Sequence, residues 1–568
     1  MPSLTPAIDR FTHFTSASHA RACALLLLLA LAAFLPGFST LQPLDRDEPR
    51  FAQATKQMLE TRDFVDIRFQ GEARHKKPVG IYWLQSAAVS AGEALGVPEA
   101  RTQIWLYRLP SLLGAVATVL LTYWALLAFV PARLALLGGA LMVACVVLGV
   151  ESRIAKTDAV LTATAVASLG ALARVWLDWT RSLAFVPSSR NWLVFWSATA
   201  VGILVKGPIV PMIWGLAILV LSITQGSFRW LKPLRFGRGL LLCLVLVIPW
   251  FVAIMMKSGG SFLADSVGQD MLGKVAECQE KHWGPPGLYL LFFFGTYWPA
   301  AAFAAMAVPF AWRRRREPQI LFLLAWLVPS WLVFEAVPTK LPHYVLPLYP
   351  AITALLLLAL VNDGIDRHRR GATATALLVV LVPLALIGAI IGGNWLLDRT
   401  VPYFALPFLL LVLLVGAFVV AAFRRGDLEG ALWRAVLASI LLSIGVFGFA
   451  IESLRSFKLS PRLAESIRAI GCESPATITL GYREPSLVFL VGTDLAMASN
   501  GQQAADFLAQ PGCRIALVEG RFEDGFRRAL AGNGVEPRLF TTVSGFNLNG
   551  GRKLAMSVYV RETPRSAP

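Results

Sequence analysis

The sequence predicts a polytopic α-helical membrane protein of about thirteen transmembrane helices, followed by a small C-terminal α/β domain. Three observations carry this reading. Hydrophobic residues make up 56% of the 568 residues and charged residues only 15%, against roughly 25% charged in an ordinary soluble domain. Apolar runs long enough to cross about 30 Å of hydrocarbon recur throughout residues 1 to 454. From residue 455 those runs stop, and short β-rich stretches alternate with helical patterns to residue 568.

In chain order the spans lie near 22 to 40, 109 to 130, 134 to 150, 158 to 177, 192 to 206, 209 to 225 and 239 to 256. They continue near 288 to 311, 319 to 336, 344 to 362, 373 to 395, 403 to 423 and 431 to 451. The first run follows Arg21 but no A-x-A site follows Leu35-Pro36-Gly37-Phe38, so it reads as an uncleaved span. Orientation follows from the short basic loops. Arg181 and Arg190, then Arg229 to Arg238, Arg313 to Arg316, Arg367 to Arg370 and Arg424 with Arg425 all fall on one side, with the N-terminus. That side is expected to be cytoplasmic, and the C-terminal segment is expected to face outward. The formal charge of +17 is mostly this asymmetry. Its scatter over separate loops argues against a nucleic-acid partner, which would need a gathered basic surface.

The first outer loop, 41 to 108, mixes charge with Phe51, Met58, Leu59, Phe64 and Ile67, as expected of short amphipathic helices at a lipid interface. It opens on Asp45-Arg46-Asp47-Glu48-Pro49-Arg50 and continues to Lys76-Lys77-Pro78. Later segments bring further charge to the same side: Glu151, Arg153, Lys156 and Asp158 before the fourth span, Lys206 at the end of the fifth, His282, and Lys340 to Tyr344. Loops are polar because they meet water, which accounts for Glu93, Glu99 or Arg62. Asp47, Lys77, Asp158, Lys206 and Lys340 instead lie against or inside apolar runs, where a charge is costly unless it is used or paired. For Lys206, snorkelling to the interface remains an equal reading. Carboxylates among lysines and arginines suit a reaction in which a base takes a hydroxyl proton while cations stabilise a departing phosphate.

The C-terminal segment has β-rich runs at 476 to 480, 514 to 519 and 553 to 560, and helical patterns at 502 to 509 and 522 to 531. It holds neither a glycine-rich phosphate loop nor a Cys/His metal spacing, so a lid or docking domain is expected. Cys23, Cys145 and Cys243 lie in spans and are expected to pack. Cys472 and Cys513 lie in the outward domain, where an oxidising compartment permits a disulfide without two cysteines fixing one.

In four stretches the sequence resembles the bacterial GT-C membrane glycosyltransferases, near the lipid A aminoarabinose transferases and the protein O-mannosyltransferases. They are Asp45 to Ala52; Lys76-Lys77-Pro78 with Tyr82-Trp83-Leu84; Arg153 to Asp158; and Thr339 to Pro347. The resemblance implies a polyprenyl-phosphate-linked sugar donor drawn from membrane lipid, inversion at the anomeric carbon, and lipid A, lipopolysaccharide or another envelope acceptor. It implies Asp47 as the leading catalytic acid residue with Glu48 beside it, and Asp158 as a second. Arg50 and Lys77, with Arg153, Lys206, Lys340 and Tyr344, become donor-phosphate or substrate contacts. One departure stands out: Lys76 occupies the place where the aminoarabinose enzymes carry Glu, so an expected metal ligand is missing, while His282 is a candidate ligand for a divalent metal.

Two other functions compete with sugar transfer to an envelope lipid. One keeps the chemistry but makes the acceptor a protein. The other is a lipid-linked sugar flippase, against which stand the lack of repeated halves and the collection of charge at one face.

Overall fold

The computed structural model describes residues 5–43, 46–181, 190–266 and 283–561. His282 therefore lies outside the described residues. Among those residues, eight helices are long and apolar enough to cross a membrane: Ile104–Leu126, Asp158–Thr180, Phe236–Ser258, Pro318–Ala336, Pro342–Val361, Ala372–Asp398, Leu406–Arg425 and Leu428–Ala450. His19–Phe34, Ala132–Val143, Asn191–Lys206 and Ile209–Gln225 are apolar but shorter. Two expected spans are broken. The run at 134 to 150 divides into Ala132–Val143 and Val146–Glu151, with Cys145 extended between them. The run at 288 to 311 divides into Leu288–Thr296 and Ala301–Arg313, with Pro299, which has no N–H to continue a helical ladder, at the break.

Side-chain size sorts the helices. Asp158–Thr180 is rich in Ala, Thr, Ser and Gly and is 94% buried over its most apolar stretch. Small residues let neighbouring backbones approach closely. Gly114 of Ile104–Leu126 shows this: a Cβ there would sit 2.7 Å from the Val160 nitrogen. The leucine-rich Ala372–Asp398 is only 22% buried over its stretch and turns its long side chains outward.

The first outer loop holds the helix Asp47–Thr61, a short hairpin of β1 (Arg68–Phe69) and β2 (Glu72–Ala73), and the helix Gly80–Ala94. Phe51, Met58 and Leu59 of Asp47–Thr61 are buried. One face of this helix meets the bundle; another meets the helix Pro485–Val491 of the C-terminal segment, where Lys56 Nζ donates to the Phe489 carbonyl at 3.2 Å.

The C-terminal segment forms a five-stranded sheet in the order β4-β3-β5-β7-β6, from β3 (Ala476–Leu480), β4 (Ala496–Ala498), β5 (Arg514–Glu519), β6 (Arg538–Asn547) and β7 (Arg552–Arg561). β3 pairs in parallel with β4 and β5, while β7 is antiparallel to β5 and β6. In such sheets ligands favour the crevice at the carboxyl ends of strands where the winding reverses. Here that crevice, between β3 and β5, is filled: Glu519 is 2% exposed and its carboxylate meets Arg521 and Arg552. A Cβ on Gly481, across the crevice, would lie 2.6 Å from that carboxylate. Cys472 and Cys513 form a disulfide closing 41 residues.

Candidate active site

Six stretches far apart in sequence enclose a cavity of about 610 Å³ among helix ends. Asp47 and Phe51 come from Asp47–Thr61, and Arg74, Lys76 and Lys77 from the end of the first loop. Glu151, Lys156, Thr157 and Asp158 line a second wall; Lys206 and the turn with His343 and Tyr344 line a third. Leu291, Phe292, Val146 and Val150 supply an apolar side. The cavity thus sets five cationic side chains and three carboxylates beside a hydrocarbon wall, an arrangement matched to an amphiphile with an anionic head.

Local packing explains the convergence. Lys77 precedes Pro78-Val79-Gly80, and Gly80 lies so close to the helix Asn191–Lys206 that a Cβ would be 2.7 Å from the Leu204 carbonyl oxygen. A larger residue there would push the lysine-bearing strand of the loop away from Lys206. Ser111 Oγ donates to the Lys156 carbonyl at 3.0 Å, tying the segment before Asp158 to Ile104–Leu126. Asp158 opens its helix, where the macrodipole favours an anion, and Lys206 closes its own, where a cation is favoured.

The two helix ends meet. Lys206 Nζ donates to Asp158 Oδ1, and the ammonium lies 5.0 Å over the Tyr344 ring. Thr157 Oγ1 donates to Asp158 Oδ2 at 3.2 Å. On the loop side Arg74 is 8% exposed, with its guanidinium 5.0 Å over the Phe51 ring. Arg50 Nη1 stands 3.4 Å from Asp47 Oδ1, one helical turn on.

Of the residues singled out from sequence, Asp47, Lys77, Asp158, Lys206 and Tyr344 line this cavity together. Glu48, Arg50, Arg153 and Lys340 do not line it. Glu48 faces the opposite way, gripped by Arg108. Arg153 is 2% exposed and ties segments of the bundle together: Nε donates to the Pro36 carbonyl at 2.7 Å and Nη2 to Ser443 Oγ at 2.7 Å. Lys340 caps the helix Pro318–Ala336, donating to the carbonyls of Glu335 at 2.7 Å and Val337 at 3.1 Å, with the Glu335 carboxylate at 3.4 Å. Its charge answers the negative end of that helix. Arg74 and the pair Glu151 and His343 line the cavity without having been singled out as site residues. For Glu151 and His343 the available signal was charge adjoining an apolar run; Arg74 carried none.

The donors in place among the described residues do not fit a divalent metal. Among the described residues no three His, Cys, Asp or Glu side chains are grouped to hold one. Lys76, where the resemblance puts a Glu, contributes an ammonium to the cavity wall instead, and a protonated amine has no lone pair to give a metal.

A family model described as dolichyl-phosphate-mannose-protein mannosyltransferase matches residues 76–252. The undecaprenyl phosphate-alpha-4-amino-4-deoxy-L-arabinose arabinosyl transferase of Erwinia tasmaniensis is 26% identical over 55% of this chain; the match spans 54% of that protein's length. The enzyme of the same description from Pseudomonas aeruginosa LESB58 is 26% identical over 77% of each chain. The crystal structure of ArnT from Cupriavidus metallidurans bound to undecaprenyl phosphate superposes with a TM-score of 0.74, at 18% identity, over 96% of this chain and 99% of that one. The cavity thus lies where the four stretches noted in the sequence converge, in a chain that is similar in sequence to the aminoarabinose transferases over as much as 77% of its length and shares the fold of ArnT.

Proposed function

We propose that this protein is an inverting glycosyltransferase that moves a sugar from polyprenyl phosphate to lipid A or another envelope acceptor at the periplasmic face of the bacterial inner membrane. The observation that carries this is the cavity itself: Asp47 on one wall, Lys77, Lys206 and Tyr344 on others, and an apolar side suited to a lipid tail. The relatives' names, which specify undecaprenyl phosphate and an arabinosyl transfer, support the donor class.

In this reading Asp47 takes the proton of the acceptor hydroxyl as its oxygen forms the new bond to the anomeric carbon. The bond from that carbon to the phosphate oxygen breaks on the opposite face, its electron pair leaving with the polyprenyl phosphate. Lys77 and Lys206, with Tyr344 beneath the latter, stabilise the departing charge. Asp158 holds Lys206 in place; Arg50 steadies Asp47. Glu48, Arg153 and Lys340 act from behind the cavity by fixing the segments that carry these groups.

The same reading makes residues 1–454 a transmembrane unit of thirteen spans, with the N-terminus cytoplasmic, and residues 455–568 a periplasmic α/β domain. The Cys472–Cys513 disulfide supports that side, since such bonds persist in oxidising compartments. Mass spectrometry of envelope lipids from cells with and without the protein tests the function: a lost glycoside identifies sugar and acceptor. Full transfer by both Asp47→Asn and Lys77→Ala proteins from a defined polyprenyl-phosphate sugar would refute the site. Movement of the lipid-linked sugar across vesicles without a glycoside product would make the protein a flippase.

A further inference from the structure

His343 sits on the turn Pro342–Leu348 and is 8% exposed, with a carboxylate at each ring nitrogen. Nδ1 is 3.3 Å from Glu151 Oε1, and Nε2 is 3.7 Å from Asp158 Oδ2. Glu151 and Asp158 are themselves 2% and 3% exposed. The other oxygen of Asp158 receives Lys206, whose ammonium lies over Tyr344, and the Tyr344 ring meets the His343 ring edge-on at 5.1 Å between centroids. The contacts close a ring, Glu151 to His343 to Asp158 to Lys206 to Tyr344 and back to His343, drawn from four separate segments.

The transfer scheme above uses Lys206 and Tyr344 directly and leaves Glu151 and His343 without a task. Burying a second carboxylate in a site built for an anionic head works against binding unless that charge is committed elsewhere. We propose that Glu151 and His343 are positioning residues: Glu151 fixes the His343 ring, the ring fixes Asp158, and Asp158 aims Lys206 at the donor phosphate. This inference rests on the transferase reading.

The bridge has a required protonation state. An imidazole with one proton donates from one nitrogen and turns a lone pair toward the other carboxylate; the imidazolium donates to both. The elements packed on this turn also bring Lys156, Tyr289, Tyr349 and the Glu335–Lys340 pair. Glu335 and Lys340 are committed to each other, and Tyr349 to Thr296 at 2.6 Å. The ring nitrogens of His343 face Glu151 and Asp158.

The test is binding of undecaprenyl phosphate to the purified full-length protein, with thermal unfolding recorded for each variant. Glu151→Gln and His343→Ala should each weaken binding by roughly 10- to 100-fold, the loss of a buried charge-assisted contact. The double variant should bind no more weakly than His343→Ala, because Glu151 reaches Lys206 through the ring. His343→Gln, which keeps one donor, should recover part of the affinity. Additive losses, or variants with wild-type affinity, would overturn the proposal. A second measurement separates this from the parent reading. The ring nitrogen resonances of His343 in labelled protein should move on Glu151→Gln and on Asp158→Asn whether or not any lipid binds. Resonances that stay put sink the bridge; a wild-type protein with coupled resonances but no undecaprenyl phosphate binding sinks the transferase reading alone.

Discussion

Arg108 holds Glu48 with both arms of its guanidinium, Nε at 2.7 Å from Oε1 and Nη2 at 3.0 Å from Oε2. The pair is 1% and 2% exposed at its side chains. The third nitrogen, Nη1, donates to the carbonyls of Phe38 at 2.9 Å and Leu41 at 2.8 Å, and Glu48 also accepts the Ala155 N–H at 3.0 Å. A guanidinium in an apolar helix is tolerated only with such partners. The network joins the turn after His19–Phe34, the start of Asp47–Thr61 and the segment leading to Asp158, so it fixes the two carboxylate-bearing walls of the cavity relative to each other.

Glu48→Ala should therefore fail as a stability defect. Removing one partner of a buried ion pair leaves the other charge uncompensated, at a cost of about 3–5 kcal/mol. Thermal unfolding and size-exclusion of the detergent-purified protein measure this. A Glu48→Ala protein as stable as wild type but without transfer would place Glu48 in the chemistry instead.

Asp47→Asn is expected to show the converse. Asp47 lines the cavity and its side chain is 38% exposed, so its loss should leave the unfolding temperature nearly unchanged. Removing a general base costs roughly 10²- to 10⁴-fold in rate. Lys77→Ala should lower kcat and also raise KM for the polyprenyl-phosphate donor, since the ammonium meets the phosphate in the ground state and stabilises the charge that develops as it departs. Equal kcat losses in both variants, with KM unmoved, would contradict this division of labour.

These contrasts mark how far the amino-acid pattern is legible. Apolar run length located the eight helices long and apolar enough to cross a membrane, and basic-loop asymmetry proposed an orientation, because both are statements about single segments meeting lipid or water. The charges near the outer face were equally visible, since Asp47 and Glu48, or Asp158 and Arg153, present the same signal: a costly charge beside an apolar run. Which of each pair faces the cavity depends on partners far along the chain. Glu48 is turned by Arg108 and Arg153 by carbonyls of another helix; neither contact has a local signature. Arg108, one residue before the expected span at 109 to 130, did hold a clue. Extending that helix by one turn places an arginine inside it, and such a residue demands a named partner.

Acidification should loosen the C-terminal sheet before it affects the bundle. Glu523 pays some desolvation, which alone would raise its pKa, but hydrogen bonds from Tyr559, Arg527 and Ser557 hold its carboxyl below the usual range. Arg527 Nη2 donates at 2.7 Å and Ser557 Oγ at 3.2 Å. A depressed folded-state pKa contributes stability that is present above the unfolded value of about 4.3 and lost as pH falls through the folded value. Hydrogen exchange of Glu523–Gly532 and β7 in the full-length protein should rise as pH is lowered below 4.3 or so, after correction for intrinsic rates. Glu523→Gln should remove most of that dependence; an unchanged profile would assign it to another carboxylate.

The contact between the C-terminal domain and Asp47–Thr61 predicts that the domain does more than cover the outer face. Gln53 Nε2 donates to Thr493 Oγ1 at 2.7 Å, and Thr493 Oγ1 in turn donates to Glu60 at 2.7 Å. Gln70 Nε2 reaches the carbonyls of Thr493 at 3.0 Å and Leu495 at 2.9 Å. Below them Lys56 is 6% exposed against Phe489. All of these contacts fall along the helix that begins at Asp47 or on the hairpin after it, so the C-terminal segment packs directly against the helix that carries Asp47. A Gln53→Ala/Gln70→Ala protein loses hydrogen bonds worth roughly 1 kcal/mol each, enough to raise exchange in both Asp47–Thr61 and Pro485–Val491 without unfolding either unit. If the domain positions Asp47, kcat should fall in step with that exchange while donor binding, set by Lys77 and Lys206 on the other walls, holds. Raised exchange with kcat intact would make the domain a cover over the cavity and leave Asp47–Thr61 held by the Arg108–Glu48 network alone.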